Sequence, residues 1–145
     1  MKRSSLTIRF SQTAKDKLEP ADAQLMEQAV EAARNAYAPY SQFHVGAAVR
    51  LVTGEVLKGN NQENASFPAG ICAERSVVYY AHANYPDSAI DTIAVTASPC
   101  GVCRQVLLES EKRKKSPIRV LLASGNEVRI FDSVKDLLPF GFDSF

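Results

Sequence analysis

Apolar residues recur at helical spacing in the first third of the chain. They are Leu25, Met26, Ala29, Val30, Ala33, Ala36 and Tyr37. Residues three and four apart lie on one face of a helix, so this pattern is typical of an amphipathic helix. Pro20 stands before the set, where a first-turn proline is favoured, and Pro39 follows it. We therefore expect a helix that begins near Pro20 and ends before Pro39.

Short runs of strand-forming residues, separated by turn residues, make up much of the remaining sequence. Their composition predicts five strands, over 45–52, 55–58, 90–96, 117–123 and 128–131. Two further helices are predicted over 72–84 and 101–112, with a last helical turn over 134–138. The resulting order, αββαβαββ, favours a mixed sheet with helices covering its faces. A long loop over 59–71 interrupts this order, and loops of that length in compact domains are usually functional.

The composition is that of one folded domain. The chain has 145 residues, of which 46% are hydrophobic and 23% charged, and no repeat or linker divides it. We expect a single domain over 1–145, with 1–17 as a variable N-terminal extension. A formal net charge of +1 gives no general attraction to nucleic acid. No apolar run has the length of a membrane span and 1–17 lacks a secretory signal, so we expect a cytoplasmic protein.

Three cysteines are placed where predicted helices begin. Cys100 and Cys103 form a Cys-x-x-Cys pair after Ser98-Pro99, and Cys72 begins the preceding helix. Helix N-termini favour thiolates, and three thiolates with one open position form the ligand set of a catalytic zinc. A single cysteine is more often a small buried residue, and a Cys-x-x-Cys alone also suits redox motifs or structural zinc.

Glu74 lies two residues after Cys72, on the first turn of the predicted helix. A carboxylate there is near the metal without binding it, and it can move protons between water and a leaving group. Cys-Ala-Glu-Arg together with Pro-Cys-Gly-Val-Cys-Arg-Gln is much more specific than either motif alone. This combination is the signature of zinc-dependent deaminases of nucleobases.

Nearly the whole chain resembles the cytidine deaminase family. The matching stretches are 37–46, 61–65, 72–75 and 98–105. The resemblance implies a three-layer α/β/α sandwich and one Zn²⁺ per chain, held by Cys72, Cys100 and Cys103, with Glu74 as the proton shuttle. It implies hydrolysis of cytidine and deoxycytidine to uridine and deoxyuridine, in pyrimidine salvage.

The same resemblance implies how a nucleoside is held. Asn61 and Glu63 are expected to bind the ribose hydroxyls, Gln62 to add backbone contacts, and Phe43 to stack near the base. The three-cysteine branch of the family is typically homotetrameric with shared active sites, and Phe142 matches a ring inserted into an adjacent site. Each of these residues also has a simpler interpretation. A phenylalanine such as Phe43 is more often part of the hydrophobic core, and polar loop residues such as Asn61 and Glu63 can serve only to form turns. The stretch 137–142 can pack on the core of its own chain.

Two arginines lie close to the cysteines in the sequence. Three thiolates leave a zinc centre at about −1, and Arg75 and Arg104 are placed to donate to the sulfurs and offset that charge. The simpler alternative is that both arginines are solvated residues on the surface of their helices.

The connection between the strand and Ser98 is short. It consists only of Thr96 and Ala97, where the family has several more residues. Either this connection is short by nature or the sequence lacks a mobile segment here.

Three alternatives remain open. A deaminase of the same fold can act on another aminopyrimidine such as blasticidin S. A polynucleotide editor is disfavoured because the chain lacks a basic surface to follow phosphates. A structural zinc module needs a fourth ligand, and the sequence offers no fourth cysteine and no nearby histidine.

Overall fold

Six strands form one mixed sheet in the computed structural model, which describes residues 1–144. The strands are β1 (Ser11–Ala14), β2 (Gly46–Leu51), β3 (Val56–Asn60), β4 (Ile90–Val95), β5 (Arg119–Ser124) and β6 (Glu127–Phe131). The helices are α1 (Pro20–Ala33), α2 (Ala73–Asn84) and α3 (Gly101–Lys114). Short 3₁₀ turns occupy Lys15–Lys17, Phe67–Ala69 and Val134–Leu137. The sheet order is β1-β6-β5-β4-β2-β3, and only the β4–β5 pair is parallel.

Alternating side chains of the central strands divide the core into two layers. On β2, Ala47 and Val49 pack in the cluster that contains α2 and α3, whereas Ala48 packs in the cluster that contains α1. Residues of β4 and β5 alternate in the same way, since successive side chains of a strand point to opposite faces. The expected three-layer α/β/α sandwich around a mixed sheet is therefore confirmed. None of the helices within residues 1–144 has the length and apolarity needed to cross a membrane.

The predicted elements are present, with shifts of a few residues at their ends. Helix α1 has Pro20 in its first turn and ends at Ala33, so Ala36 and Tyr37 lie outside it. The backbone of Tyr37 leaves the helical path because it bridges to Gln62. The chain beyond α1 is thereby tied to the loop that precedes α2.

Strand β1 was not predicted. Its sequence, Ser-Gln-Thr-Ala, is polar and its residues are exposed or half-buried, so it shows no alternation that would indicate a strand. It forms because β6 offers an unpaired edge, with which it pairs antiparallel. Part of the segment 1–17, which we expected to be an extension, therefore belongs to the sheet.

The topology brings two helix N-termini to one end of the sheet. Strands β3 and β4 both pair antiparallel with β2, so they run in the same direction and their C-terminal ends lie at the same end of the sheet. Helix α2 follows β3 through the loop 61–72, and α3 follows β4 after a short connection. Both helices therefore begin close to this end of the sheet, where the site described below is formed.

Gly46 tests how closely α1 packs on the sheet. A Cβ at Gly46 would lie 1.9 Å from Ala29 O and 2.5 Å from Ala33 N, so only glycine fits. We predict that Gly46→Ala lowers the free energy of unfolding by about 2 kcal/mol or more, because the clash is with backbone. Gly101→Ala is the matched control, since a Cβ there meets nothing within 4 Å. Urea denaturation of both variants in the same metal state measures the difference, and equal midpoints would contradict this packing.

Candidate metal centre and active site

Three sulfur atoms converge where α2 and α3 begin. Cys72 is the N-cap residue of α2, Cys100 is the N-cap residue of α3, and Cys103 lies in the first turn of α3. Their Sγ atoms all lie within 4.8 Å of one another, and those of Cys100 and Cys103 are 3.5 Å apart. Tetrahedral zinc with Zn–S bonds of about 2.3 Å places its sulfurs roughly 3.8 Å apart. The three cysteines therefore fit one zinc ion with little adjustment.

The surroundings of the thiols differ. Burial opposes ionisation of Cys100, but hydrogen bonds from the backbone N–H and thiol of Cys103 and from the N–H of Val102 outweigh it and lower the pKa of Cys100. Burial, followed by the negative charge of Glu74, raises the pKa of Cys103. A divalent cation among the sulfurs would offset both unfavourable effects on Cys103, because metal coordination favours thiolates.

Glu74 lies in the first turn of α2 and is only 4% exposed. Burial raises the pKa of its carboxyl group, against the lowering effects of its own backbone N–H, the Cys103 thiol and the charge of Arg75. Within the described residues, the group of potential ligands contains the three cysteines and not Glu74. A buried carboxyl group beside the sulfurs but outside the ligand set is placed to transfer protons.

The Arg75 guanidinium faces the sulfurs. Its Nη2 donates to Cys72 Sγ at 3.7 Å, because residues three apart lie on the same side of a helix. Hydrogen bonding to Cys72 is also the main reason that the pKa of Arg75 is raised. Its buried Nε has no hydrogen-bond partner among the described residues. The contact with sulfur expected for Arg75 is present.

Arg104 behaves differently from what we expected. Its guanidinium donates to Pro99 O at 2.9 Å, to Leu137 O at 3.0 Å and to Ser98 Oγ at 3.2 Å. Arg104 lies ~100° around α3 from Cys103, on the side of the preceding loop and of the chain near Leu137. The expected donation from Arg104 to the sulfurs is therefore wrong, and the residue joins backbone segments around the metal-binding helix.

Asn61 and Glu63 organise the loop that follows α1. Asn61 Oδ1 accepts from Val45 N at 2.8 Å, and Asn61 Nδ2 donates to Phe43 O at 2.9 Å. Glu63 accepts from Tyr40 N at 2.9 Å and from the backbone and hydroxyl of Ser41. The Ser41 hydroxyl is the main cause of a lowered pKa at Glu63, which keeps this half-buried carboxyl group ionised. The two residues thus fix the shape of the loop that carries Phe43.

Gln62 connects this loop to the metal centre. Its backbone bridges to Tyr37 on one side and to Ile71 on the other, with Gln62 N and Ile71 O 2.9 Å apart. Ile71 directly precedes Cys72, so these backbone bonds fix the position of the loop relative to the first cysteine. The Gln62 side chain donates to Asn60 Oδ1 at 2.6 Å.

The Phe43 ring is 61% exposed, which excludes the alternative that it is a core residue of this chain. Near it, a depression of about 370 Å³ is lined by Tyr40, Ser41, Glu63, Asn64, Phe67 and Gly70. Tyr40 and Phe67 contact each other edge to face, with ring centroids 6.2 Å apart. Sequence analysis did not single out these two aromatic residues, although both lie in or beside stretches that carry the family resemblance.

Phe142 lies on the side of α3. Its backbone N–H donates to Gln105 Oε1 at 3.0 Å, and Gln105 Nε2 donates to its carbonyl oxygen at 2.7 Å. The residue remains 66% exposed. The stretch 137–142 is therefore partly packed on its own chain, through the buried Leu137 and the bonds between Gln105 and Phe142.

The chain is similar in sequence and in structure to known cytidine deaminases. The model of the cytidine and deoxycytidylate deaminase zinc-binding region matches residues 19–117. The chain is 41% identical over 127 residues to the cytidine deaminase of Mycobacterium tuberculosis, covering 79% of this chain and 86% of that one. It is 42% identical over 93 residues to that of Halalkalibacterium halodurans, covering 59% and 68%. The crystal structure of cytidine deaminase from Burkholderia pseudomallei matches with a TM-score of 0.70 and 39% identity, covering 82% of this chain and 97% of that one.

The sulfur cluster predicts the metal content. Purified protein should contain about one zinc per chain, and Cys100→Ser should hold far less, because a neutral hydroxyl is a poor zinc ligand. Val102→Ala is the matched control, since its 58% exposed side chain lies between the two cysteines and leaves all three sulfurs in place. Elemental analysis after dialysis measures the ratio. A Cys100→Ser protein that keeps one zinc per chain would exclude this ligand set.

Proposed function

The chain belongs to the cytidine and deoxycytidylate deaminase family, and we propose that it hydrolyses cytidine and deoxycytidine to uridine and deoxyuridine with release of ammonia. The observation that carries this proposal is the group of three converging sulfurs with the buried Glu74 beside them. A site with three protein ligands keeps one position open, which is the arrangement of a catalytic zinc. The reaction replaces the 4-amino group of the base with oxygen from water.

Cys72, Cys100 and Cys103 hold the zinc in this proposal. When bound, zinc activates water for attack on C4 of the base. The helix N-termini support the thiolates, and Arg75 reduces their negative charge by donating to Cys72 Sγ. Arg104 has no part in this charge balance and keeps the connection before α3 in place.

Glu74 carries the protons. From its position beside the sulfurs it accepts one proton of the attacking water and donates it to N3 of the base. It then accepts the second proton from the hydroxyl now bonded to C4 and donates it to the amino group, which leaves as ammonia while C4 becomes a carbonyl. Its burial keeps bulk water from competing for these protons. The role follows from the position of the carboxyl group inside the site and outside the ligand set.

The loop around Phe43 holds the nucleoside. We assign the ribose hydroxyls to Asn61 and Glu63, because Glu63 is ionised and an ionised carboxylate accepts several hydrogen bonds. Gln62 contributes its backbone, which connects this loop to Ile71 and thus to Cys72. The exposed Phe43 ring offers an apolar face for the base. The substrate is a free nucleoside, since the net charge of +1 gives no track for a polynucleotide.

We assign the enzyme to pyrimidine salvage in the cytoplasm, as a homotetramer with shared active sites. Three free cysteines agree with a reducing compartment. The exposure of Phe140 and Phe142 supports assembly, because exposed aromatic residues are commonly buried between subunits. In the tetramer, Phe142 enters the substrate site of an adjacent chain.

Glu74→Gln tests the proton transfer. The variant should keep one zinc per chain, because Glu74 is not a ligand, while kcat for cytidine falls by at least ~10²–10⁴-fold. Glu109→Gln is the control, since Glu109 is an exposed carboxylate on α3. Zinc content and the loss of cytidine absorbance are measured on the same samples. Loss of zinc in Glu74→Gln would identify Glu74 as a ligand and contradict the proposed mechanism.

Removing the sugar from the substrate tests the roles of Asn61 and Glu63. Free cytosine lacks the hydroxyl groups that these side chains would bind, so its kcat/KM should be lower than that of cytidine by about 10²-fold or more, the effect of two or more lost hydrogen bonds. The comparison uses one enzyme preparation and adds blasticidin S as a third aminopyrimidine. Similar kcat/KM values for cytosine and cytidine would remove the sugar contacts from the proposal, and a preference for blasticidin S would favour the alternative substrate.

A further inference from the structure

The C-terminal segment, residues 132–142, is fastened along α3 at three levels. At the far end of the helix, the buried Glu111 accepts from Val134 N at 2.8 Å and from Ser133 Oγ at 3.0 Å. In the middle of the segment, Arg104 Nη1 donates to Leu137 O at 3.0 Å. Near its end, Gln105 bonds to Phe142. The segment is therefore a fixed part of the fold rather than a free tail.

Gln105 binds the backbone of Phe142 through its side-chain amide. Its primary amide uses its donor and its acceptor together, at 2.7 Å and 3.0 Å, on the carbonyl and N–H of one residue. A carboxamide carries a donor and an acceptor on the same carbon, so it can match both backbone groups at once. Because the backbone of Phe142 is held at two points, the direction in which its ring leaves the surface is restricted.

The chain before Phe142 adds to this restriction. Phe140 has a φ of 58°, a conformation that is uncommon for residues other than glycine. At Gly141, a Cβ would lie 2.7 Å from side-chain atoms of Leu108 and Leu138. A tight turn therefore leads directly into the residue that Gln105 binds.

We propose that Gln105 is a positioning residue, which fixes the Phe142 ring for contact with the nucleoside bound in an adjacent chain. This inference rests on the proposed function, which places the ring in that neighbouring site. The same helix carries Cys100 and Cys103, so α3 sets the metal of its own chain and the ring offered to the next chain.

The experiment compares Gln105→Ala, Gln105→Glu, Phe142→Ala and the double variant Gln105→Ala/Phe142→Ala. Gln105→Glu keeps the size of the side chain and an acceptor for Phe142 N, but it places a carboxylate oxygen against Phe142 O. Glu109→Ala, an exposed change on the same helix, is the control. Zinc content, oligomeric mass, kcat and KM for cytidine are measured for each.

A positioning role predicts a rise in KM with little change in kcat. Phe142→Ala should raise KM by about tenfold or more, and each Gln105 variant by about three- to tenfold, the effect of one or two lost hydrogen bonds. Gln105→Ala should add nothing further when Phe142 is already alanine, because its effect passes through the ring. Zinc content and oligomeric mass should stay as in the parent.

Hydrogen exchange of the Phe142 amide tests the bond between Gln105 and the Phe142 backbone separately from the contact between the Phe142 ring and the nucleoside. Protection should fall in Gln105→Ala and persist in Glu109→Ala. If Gln105→Ala raises KM equally with and without the Phe142 ring, or lowers zinc content and kcat, the positioning role is overturned. If Phe142→Ala leaves KM unchanged while Gln105→Ala still exposes the amide, the ring's place in the proposed function fails and Gln105 is only structural.

Discussion

Three sulfur atoms must meet at one end of the sheet, and much of the molecule is arranged around this requirement. The parallel direction of β3 and β4 brings the starts of α2 and α3 together there. Each helix places a cysteine at its N-cap position, where unpaired N–H groups favour a thiolate. Glu74 and Arg75 follow two and three residues after Cys72, so in the proposed function one helical turn supplies a ligand, a proton carrier and a counter-charge.

Each half of the metal centre could be predicted from sequence because its members lie within one helical turn, and the two halves were joined on the strength of their combined motifs. The spacing of Cys100 and Cys103, and that of Cys72 and Arg75, each spans one helical turn, so the local geometry follows from the helix itself. The central strands and α1 could be predicted for a similar reason, since buried faces leave a period of two or of about 3.6 in the sequence. Position along a helix or strand was sufficient for each of these elements taken singly.

What could not be predicted depends on partners far away in the chain. Strand β1 exists because β6 pairs with it, and its own polar sequence carries no sign of that pairing. Arg104 was assigned to the sulfurs because it follows Cys103, whereas its direction is decided by carbonyl groups of Pro99 and Leu137. The bonds from Asn61 and Glu63 to the loop 40–45 are likewise invisible until the two segments are seen together.

The separation of Cys72 from the Cys-x-x-Cys pair has a consequence for how the protein folds. Cys100 and Cys103 are close in any chain that forms the first turn of α3, but Cys72 joins them only when β4 has paired with β2. The unfolded chain can thus offer zinc two thiolates at most from one local site, and the native chain offers three. Zinc therefore stabilises the native state by the difference between these affinities. The metal acts as a clamp across β4, and its supply in the cell becomes part of the protein's folding equilibrium.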